Sequence, residues 1–316
     1  MLAGMSVLID IIVPVFAVVG VGFAAARKSW LSEAGVDGLG TFVFNFAVPA
    51  MMFHAMATRD FPDTIEWEFL IAYFAAAYIS WGAVIAVSRG VFRRDLAGAS
   101  VLGLGGAFSN SVMLGLPLVH LAFGEEGLLP VFLILSFHTW QLLFVVTVLV
   151  EAARGRRGRA AALAADVLKG LATNPIIMAV LAGVLWNWSG IRLALPAERF
   201  LDLMGKAAIP CSLFCLGASL ARYELKGAVA EAGVVTAMKL IVHPLAAYLI
   251  GAHLFHLEPL WLSVAVLMAA TPVGINVYLF AMRYDAGAAT AATTILMSTV
   301  VSMATLSGVL WLLGVG

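Results

Sequence analysis

Ten apolar stretches of roughly twenty residues dictate the solvent in which this chain can fold. They run at about 5–26, 38–57, 68–88, 96–123, 128–150, 175–191, 198–221, 229–252, 259–282 and 287–314. A bilayer core takes about 20 helical residues to cross, and lipid offers a bare backbone no partner, so each stretch is expected to be a helix. The charge content agrees: 11% of the residues are charged, against about a quarter in a soluble domain. The expected fold class is therefore an all-α integral membrane protein embedded in the lipid bilayer. A zero formal net charge says nothing about partners, and no feature supports nucleic-acid binding. Arg27 and Lys28 follow the first apolar run rather than precede it, the pattern of a retained first span and not of a cleaved leader.

Two of the ten stretches are interrupted where an unbroken helix would be cheapest. Ser109-Asn110-Ser111 and Gly115-Leu116-Pro117 stand in the middle of the fourth, and Thr271-Pro272-Val273-Gly274-Ile275-Asn276 in the ninth. Proline removes an N–H and pushes the preceding residue out of the α region, and glycine loosens the chain further. Paired interruptions at matching places in two halves point to a midplane binding site in a secondary transporter.

Basic residues order the spans. Thirteen Lys and Arg fall in the odd-numbered loops, while Arg59, Arg192 and Arg199 fall on the other side. By the positive-inside rule both termini lie outside a bacterial-type cytoplasmic membrane. Five spans flank each side of an Arg-rich centre, so the halves face opposite ways. We expect a first repeat at 1–151, a short cytoplasmic linker at 152–174 and an inverted second repeat at 175–316. Val48-Pro49-Ala50-Met51-Met52-Phe53 in the second span is echoed by Ile209-Pro210-Cys211-Ser212-Leu213-Phe214 in the seventh, and Pro117 by Pro272. Independent proline kinks would give the same echoes, because membrane helices tolerate them. Asn174-Pro175 reads as an N-cap followed by proline at the first helical position. Cys211 and Cys215, four apart on one helix, are expected to pack as small apolar residues.

The interruptions free backbone groups in a dry medium, so these must face protein or a wet cavity. N–H groups converge where each second half-helix begins, which suits an anion such as a carboxylate. Ser109, Asn110, Ser111, Thr271 and Asn276 supply short polar side chains there, either for a ligand or for the freed backbone. Lys239, five residues before Pro244, lies too deep to reach the interface; it either anchors a carboxylate or braces a helix. Lys206, four residues before Pro210, is a second candidate charge site, with snorkelling as the alternative because it lies nearer an end of its span. His138 and Gln141 share one face of the fifth span, and a buried histidine there could carry a proton or simply pack. No Asp or Glu lies in the middle of any span, although cation carriers usually place carboxylates there. That inventory favours an anionic substrate. No cofactor, metal cluster or enzyme motif is expected, since there is neither a zinc helix nor a nucleophile elbow.

These motifs together resemble one family along the whole length of the chain. Phe46-Ala47-Val48-Pro49 and Phe53-His54, Asn110-Ser111-Val112-Met113-Leu114-Gly115-Leu116-Pro117-Leu118, and Pro272-x-Gly274-Ile275 with Phe280-Ala281 look like the auxin efflux carriers. That family includes plant PIN-type carriers and bacterial organic-acid carriers such as malonate transporters. The resemblance implies two inverted five-helix repeats with crossing helices 4 and 9, a fold shared with bile-acid/sodium symporters. It further implies a scaffold of spans 1, 2, 6 and 7, usually a homodimer, and an elevator-type transport domain of spans 3–5 and 8–10. Asn110 would contact the substrate carboxylate at the crossover of Pro117 and Pro272, with Gly274 and Ile275 beside it, and Val48 and Pro49 approaching from the scaffold. His138 falls within a turn of a polar glutamine of the plant carriers. The plant carriers' long central loop is missing here, and so is their acidic residue in span 3, since Ile71 to Ile79 holds none. The implied activity is transport of a small organic anion, with H⁺ or Na⁺ as a possible coupling ion. A sodium-coupled symporter of larger amphipathic anions is the alternative on the same fold, and a ligand-binding membrane sensor a third.

Overall fold

In the computed structural model, which describes residues 2–61, 66–155, 170, 173–225 and 227–314, helices fall on all ten apolar stretches. They are α1 (Leu2–Arg27), α2 (Glu33–Phe42) with α3 (Val48–Thr58), α4 (Trp67–Gly90), α5 (Leu96–Ala107) with α6 (Leu116–Phe123), and α7 (Leu128–Ala153). There follow α8 (Pro175–Trp188), α9 (Leu195–Lys206) with α10 (Ala208–Leu220), α11 (Val229–Ala237) with α12 (His243–Leu249), α13 (Pro259–Ala270) with α14 (Asn276–Arg283), and α15 (Ala288–Leu312). Among the described residues seven helical stretches are long and apolar enough to cross a membrane; α5, α8 and α13 are apolar but shorter. Much of the expected linker, 156–169, and Lys226 lie outside the described residues.

Prolines explain most of the irregularity. Three π-turns, Val43–Ala47, Ser111–Gly115 and Met238–Val242, each end two residues before a proline: Pro49, Pro117 and Pro244. In each case the residue just before the proline bonds five residues back, as Leu116 N–H does to the Ser111 carbonyl. Proline offers no N–H and its ring crowds the carbonyl four residues earlier, so one extra residue in the turn relieves the clash. Pro210 acts differently. It leaves the Lys206 carbonyl without a helical donor, and the seventh stretch is interrupted at Ala207, whose N–H turns back to Met204 at 3.2 Å. Asn174 caps α8 as expected, its Oδ1 accepting from Ile176 and Ile177 N–H. Cys211 and Cys215 are both free.

The helices pack in two groups. In one, α1 lies along α10, α3 along α8, and α9 against α3. In the other, α4 packs on α5 and α12, α5 on α7, α11 on α15, and α12 on α13. Glycine sets the spacing in the first group. A methyl on Gly217 would stand 1.8 Å from the Val19 carbonyl oxygen, and one on Gly22 2.1 Å from that of Phe214. The backbones of α1 and α10 therefore touch, which is how helices gain contact in a solvent that gives no hydrophobic push.

One buried ion pair ties the second group together near the helix ends. Glu231, 1% exposed in its side chain, accepts from Arg94 at 2.8 and 3.1 Å. Removing one partner of such a pair strands the other. We expect Arg94→Ala to cost toward the low end of about 3–5 kcal/mol, because Arg94 keeps some access to water. Thermal unfolding in detergent measures this, and Arg94→Ala/Glu231→Gln should recover part of the loss. An equal loss in both variants would show that the ion pair is not its source.

Candidate functional site

The two interrupted stretches meet. Between α5 and the Ser111–Gly115 turn the chain leaves the helix over Phe108–Asn110, and between α13 and α14 over Thr271–Ile275, with Phe108 and Thr271 extended. Ser109 and Val273 form an antiparallel bridge. Asn110 N–H donates to the Pro272 carbonyl at 2.8 Å, and Gly274 N–H donates to the Phe108 carbonyl at 3.0 Å. Gly274 is needed there for space, since a Cβ would sit 2.8 Å from the Phe108 ring and 3.1 Å from the Ser109 carbonyl oxygen.

Several other backbone groups freed by the breaks find partners, as burial without water favours. Ser109 N–H donates to His138 Nε2 at 3.2 Å. Ser109 Oγ donates to the Met268 carbonyl at 3.0 Å, which Thr271 Oγ1 also reaches at 2.8 Å. Val273 N–H finds Ser298 Oγ at 3.1 Å, and Ser111 Oγ donates to the Ser109 carbonyl at 3.3 Å. The Ala269 carbonyl, at the end of α13, accepts from Lys239 Nζ. Ser109, Ser111, Thr271, Lys239 and His138 thus all serve the freed backbone, the structural alternative raised for them above.

A hydrogen-bond direction follows. His138 Nε2 accepts, so in the neutral ring Nδ1 carries the proton. It faces Tyr73 Oη at 3.3 Å, and Tyr73 in turn donates to Ser109 Oγ at 3.1 Å. The network runs from His138 through Tyr73 and Ser109 to the Met268 carbonyl. Tyr73, Ser298 and the Met268 carbonyl were not singled out in the sequence. The usable signal was Tyr73 itself, because a tyrosine in mid-span needs a partner for its hydroxyl. Tyr73→Phe removes two of these bonds at once. We expect it to lower stability by about 1–3 kcal/mol in thermal unfolding.

Asn110 stands apart from the network. Its main chain is committed, but its side chain does not cap the following turn and stays partly exposed. The helical bonds beyond it begin at Leu114, whose N–H reaches the Asn110 carbonyl at 3.3 Å, so the N–H groups of 111–113 head the half-helix. Asn276 opens α14, half-buried, with Ile275 38% exposed beside it. Pro117 and Pro272 are buried at the two breaks.

The remaining candidates separate. Gln141 accepts from Tyr78 Oη at 3.1 Å, a second tie between α7 and α4. Lys206 is exposed at the end of α9 and paired with Asp202 at 2.6 Å, away from the crossover. Val48 and Pro49 are buried at the start of α3, while the member of the first group that packs on the Ser111–Gly115 turn is α10. Two surface grooves, about 730 and 600 Å³, are lined by Arg27, Tyr223 and Val300 and by Arg59, Asn187 and Arg192; neither includes a crossover residue. Among the described residues no group of His, Cys, Asp or Glu is arranged to hold a metal ion.

Comparison with known proteins places this geometry in context. The family described as Membrane transport protein matches residues 7–310. A protein of Rhizobium meliloti (strain 1021) named "Putative malonate transporter" is 30% identical over 316 residues, covering 99% of this chain and 98% of that one. An uncharacterized transporter of Methanothermobacter thermautotrophicus is 25% identical, covering 94% and 95%. The mouse lysosomal cholesterol signaling protein is 25% identical over 246 residues, which are 73% of this chain and 28% of that protein.

Proposed function

The chain belongs to the Membrane transport protein family, and on that premise we propose that it carries a small organic anion of the mono- or dicarboxylate class across the cytoplasmic membrane. The observation that carries this is the crossover itself. It offers an Asn110 amide that caps no turn and the N–H groups of 111–113 that head the half-helix, backed by buried Lys239 and by no carboxylate among the residues that form it. The name of the rhizobial relative puts malonate first on the panel to be tried.

In this reading the ten helical stretches are ten spans in two inverted repeats, with both termini outside. Spans 1, 2, 6 and 7 form a dimeric scaffold and the rest an elevator-like carrier. The two packing groups support that division, because α4–α7 and α11–α15 pack chiefly among themselves. Asn110 holds the carboxylate, and Ser109, Ser111, Thr271 and Asn276 shape the site.

The test is purified protein in liposomes offered a panel of mono- and dicarboxylates in counterflow. Exchange of at least one member is expected; the absence of exchange and competition across the panel sinks the reading. Lys239→Ala asks a separate question. Folded protein with lost affinity makes the lysine an anchor, whereas lost thermal stability with normal affinity makes it a brace. The Ala269 contact favours the brace. A second reading, a ligand-binding sensor, draws on the match to part of the mouse signaling protein. Saturable binding without flux would decide for it.

A further inference from the structure

Behind the crossover lies a group of nitrogen bases with, among the described residues, no acid beside it. Lys239 and His243 are four residues apart on one face, across the Met238–Val242 turn, and both are 0% exposed. His138 is 1% exposed, and the Tyr73 ring lies between, its centre 5.3 Å from that of His243 and 6.0 Å from that of His138. Neither ring nitrogen of His243 makes a well-formed hydrogen bond, although the Tyr73 backbone carbonyl lies alongside. A buried imidazole without a well-formed hydrogen bond is uncommon and asks for a role or a guest.

The neighbours narrow what the guest can be. From α4 the group is faced by Tyr73 and from α7 by His138. α13 and α15, which pack on the same turn, carry no titratable side chain, and neither does α5. The nearest acid on the same stretch, Glu231, is committed to Arg94. A metal cation would meet an ammonium and imidazoles and no anionic ligand, so the site suits a proton. Two positive charges side by side in a dry interior repel, so Lys239 and His243 hold at most one added proton between them.

From this juxtaposition we infer that Lys239 and His243 form a shared proton site that is filled together with the anion at the crossover, making the carrier a proton–anion symporter. The inference rests on the proposed transport function. Its physical basis is charge balance. A buried ammonium without a counter-ion is costly, and so is a carboxylate brought to the middle of a membrane. Lys239 is tied to the Ala269 carbonyl, one peptide from the Met268 carbonyl that Ser109 holds. An anion at Asn110 and a proton at Lys239 therefore sit at two residues hydrogen-bonded to one short stretch of chain, Asn110 to the Pro272 carbonyl and Lys239 to that of Ala269. Each lowers the cost of the other, and by linkage each must raise the affinity of the other.

The experiment is calorimetric binding of malonate to the purified carrier in two buffers of different ionisation enthalpy, at a pH where the free acid is fully ionised. The difference counts protons. Uptake of about one proton per anion is expected. Binding with no proton uptake, or binding that requires Na⁺, overturns the inference while leaving the transport function intact; no binding by any acid of the panel overturns the transport function itself. Lys239→Arg locates the proton. Arginine stays charged, so binding should persist and uptake should vanish. His243→Asn provides the same test should the arginine variant fail to fold, because it should shift the pH at which uptake is half-maximal. Wild-type uptake in the arginine variant, or an unmoved midpoint in the asparagine variant, overturns the assignment.

Discussion

Asn110→Ala should abolish most carboxylate exchange while leaving the protein folded. The side chain is the crossover's uncommitted amide, whereas its backbone N–H and carbonyl carry the bonds to Pro272, Leu114 and Gly115. Alanine keeps every one of those main-chain bonds. A hydrogen bond to a charged ligand is worth about 1.5–3 kcal/mol, so anion affinity should fall roughly 10- to 100-fold. Thermal unfolding should move little, as for a change that leaves packing and main-chain bonding intact. Counterflow and melting measured on the same preparation check both halves. A lower melting temperature with unchanged affinity would make Asn110 a structural residue and remove the centre of the proposed site.

Gly217→Val should be the most damaging single change outside the crossover. The first methyl alone would lie 1.8 Å from the Val19 carbonyl oxygen and 2.7 Å from its carbon, which is backbone and cannot rotate away. The two helices must separate. Their contact includes the matching approach of Gly22 to Phe214, so the separation is felt along the whole seam. Overpacking costs about 1–3 kcal/mol where side chains can yield, and a backbone clash should exceed that range. The expected result is poor recovery of folded protein from membranes, with Gly217→Ala intermediate. Normal recovery and melting of the valine variant would show that the seam can open without loss.

How far the sequence reveals this molecule depends on where the determining force is local. The breaks were legible because Pro117, Pro272, Gly115 and Gly274 act on their own backbone, whatever surrounds them. The polar residues beside them were legible because polar groups in a hydrophobic stretch need a reason. The widened turns before Pro49, Pro117 and Pro244 were not, since a kink, a break and a π-turn all answer the same clash and packing chooses among them. Tyr73, Ser298 and the Met268 carbonyl were hidden for another cause. Their part in the site arises from contacts across 25 to 159 residues of chain, and no local pattern encodes such a meeting. Lys206 shows the converse: its depth was estimated from span length, and an interruption before Pro210 leaves it at a helix end beside Asp202.

The bridge between the two interruptions has a consequence for how selectivity can be altered. Its two bonds, Asn110 N–H to Pro272 and Gly274 N–H to Phe108, are written in main chain. The crossing therefore does not depend on which side chains occupy positions 110 and 276. Libraries randomised there should yield many folded members, from which carriers for anions of other shapes can be selected. Position 274 has no such latitude, since the Phe108 ring and the Ser109 carbonyl occupy the space that any side chain would need.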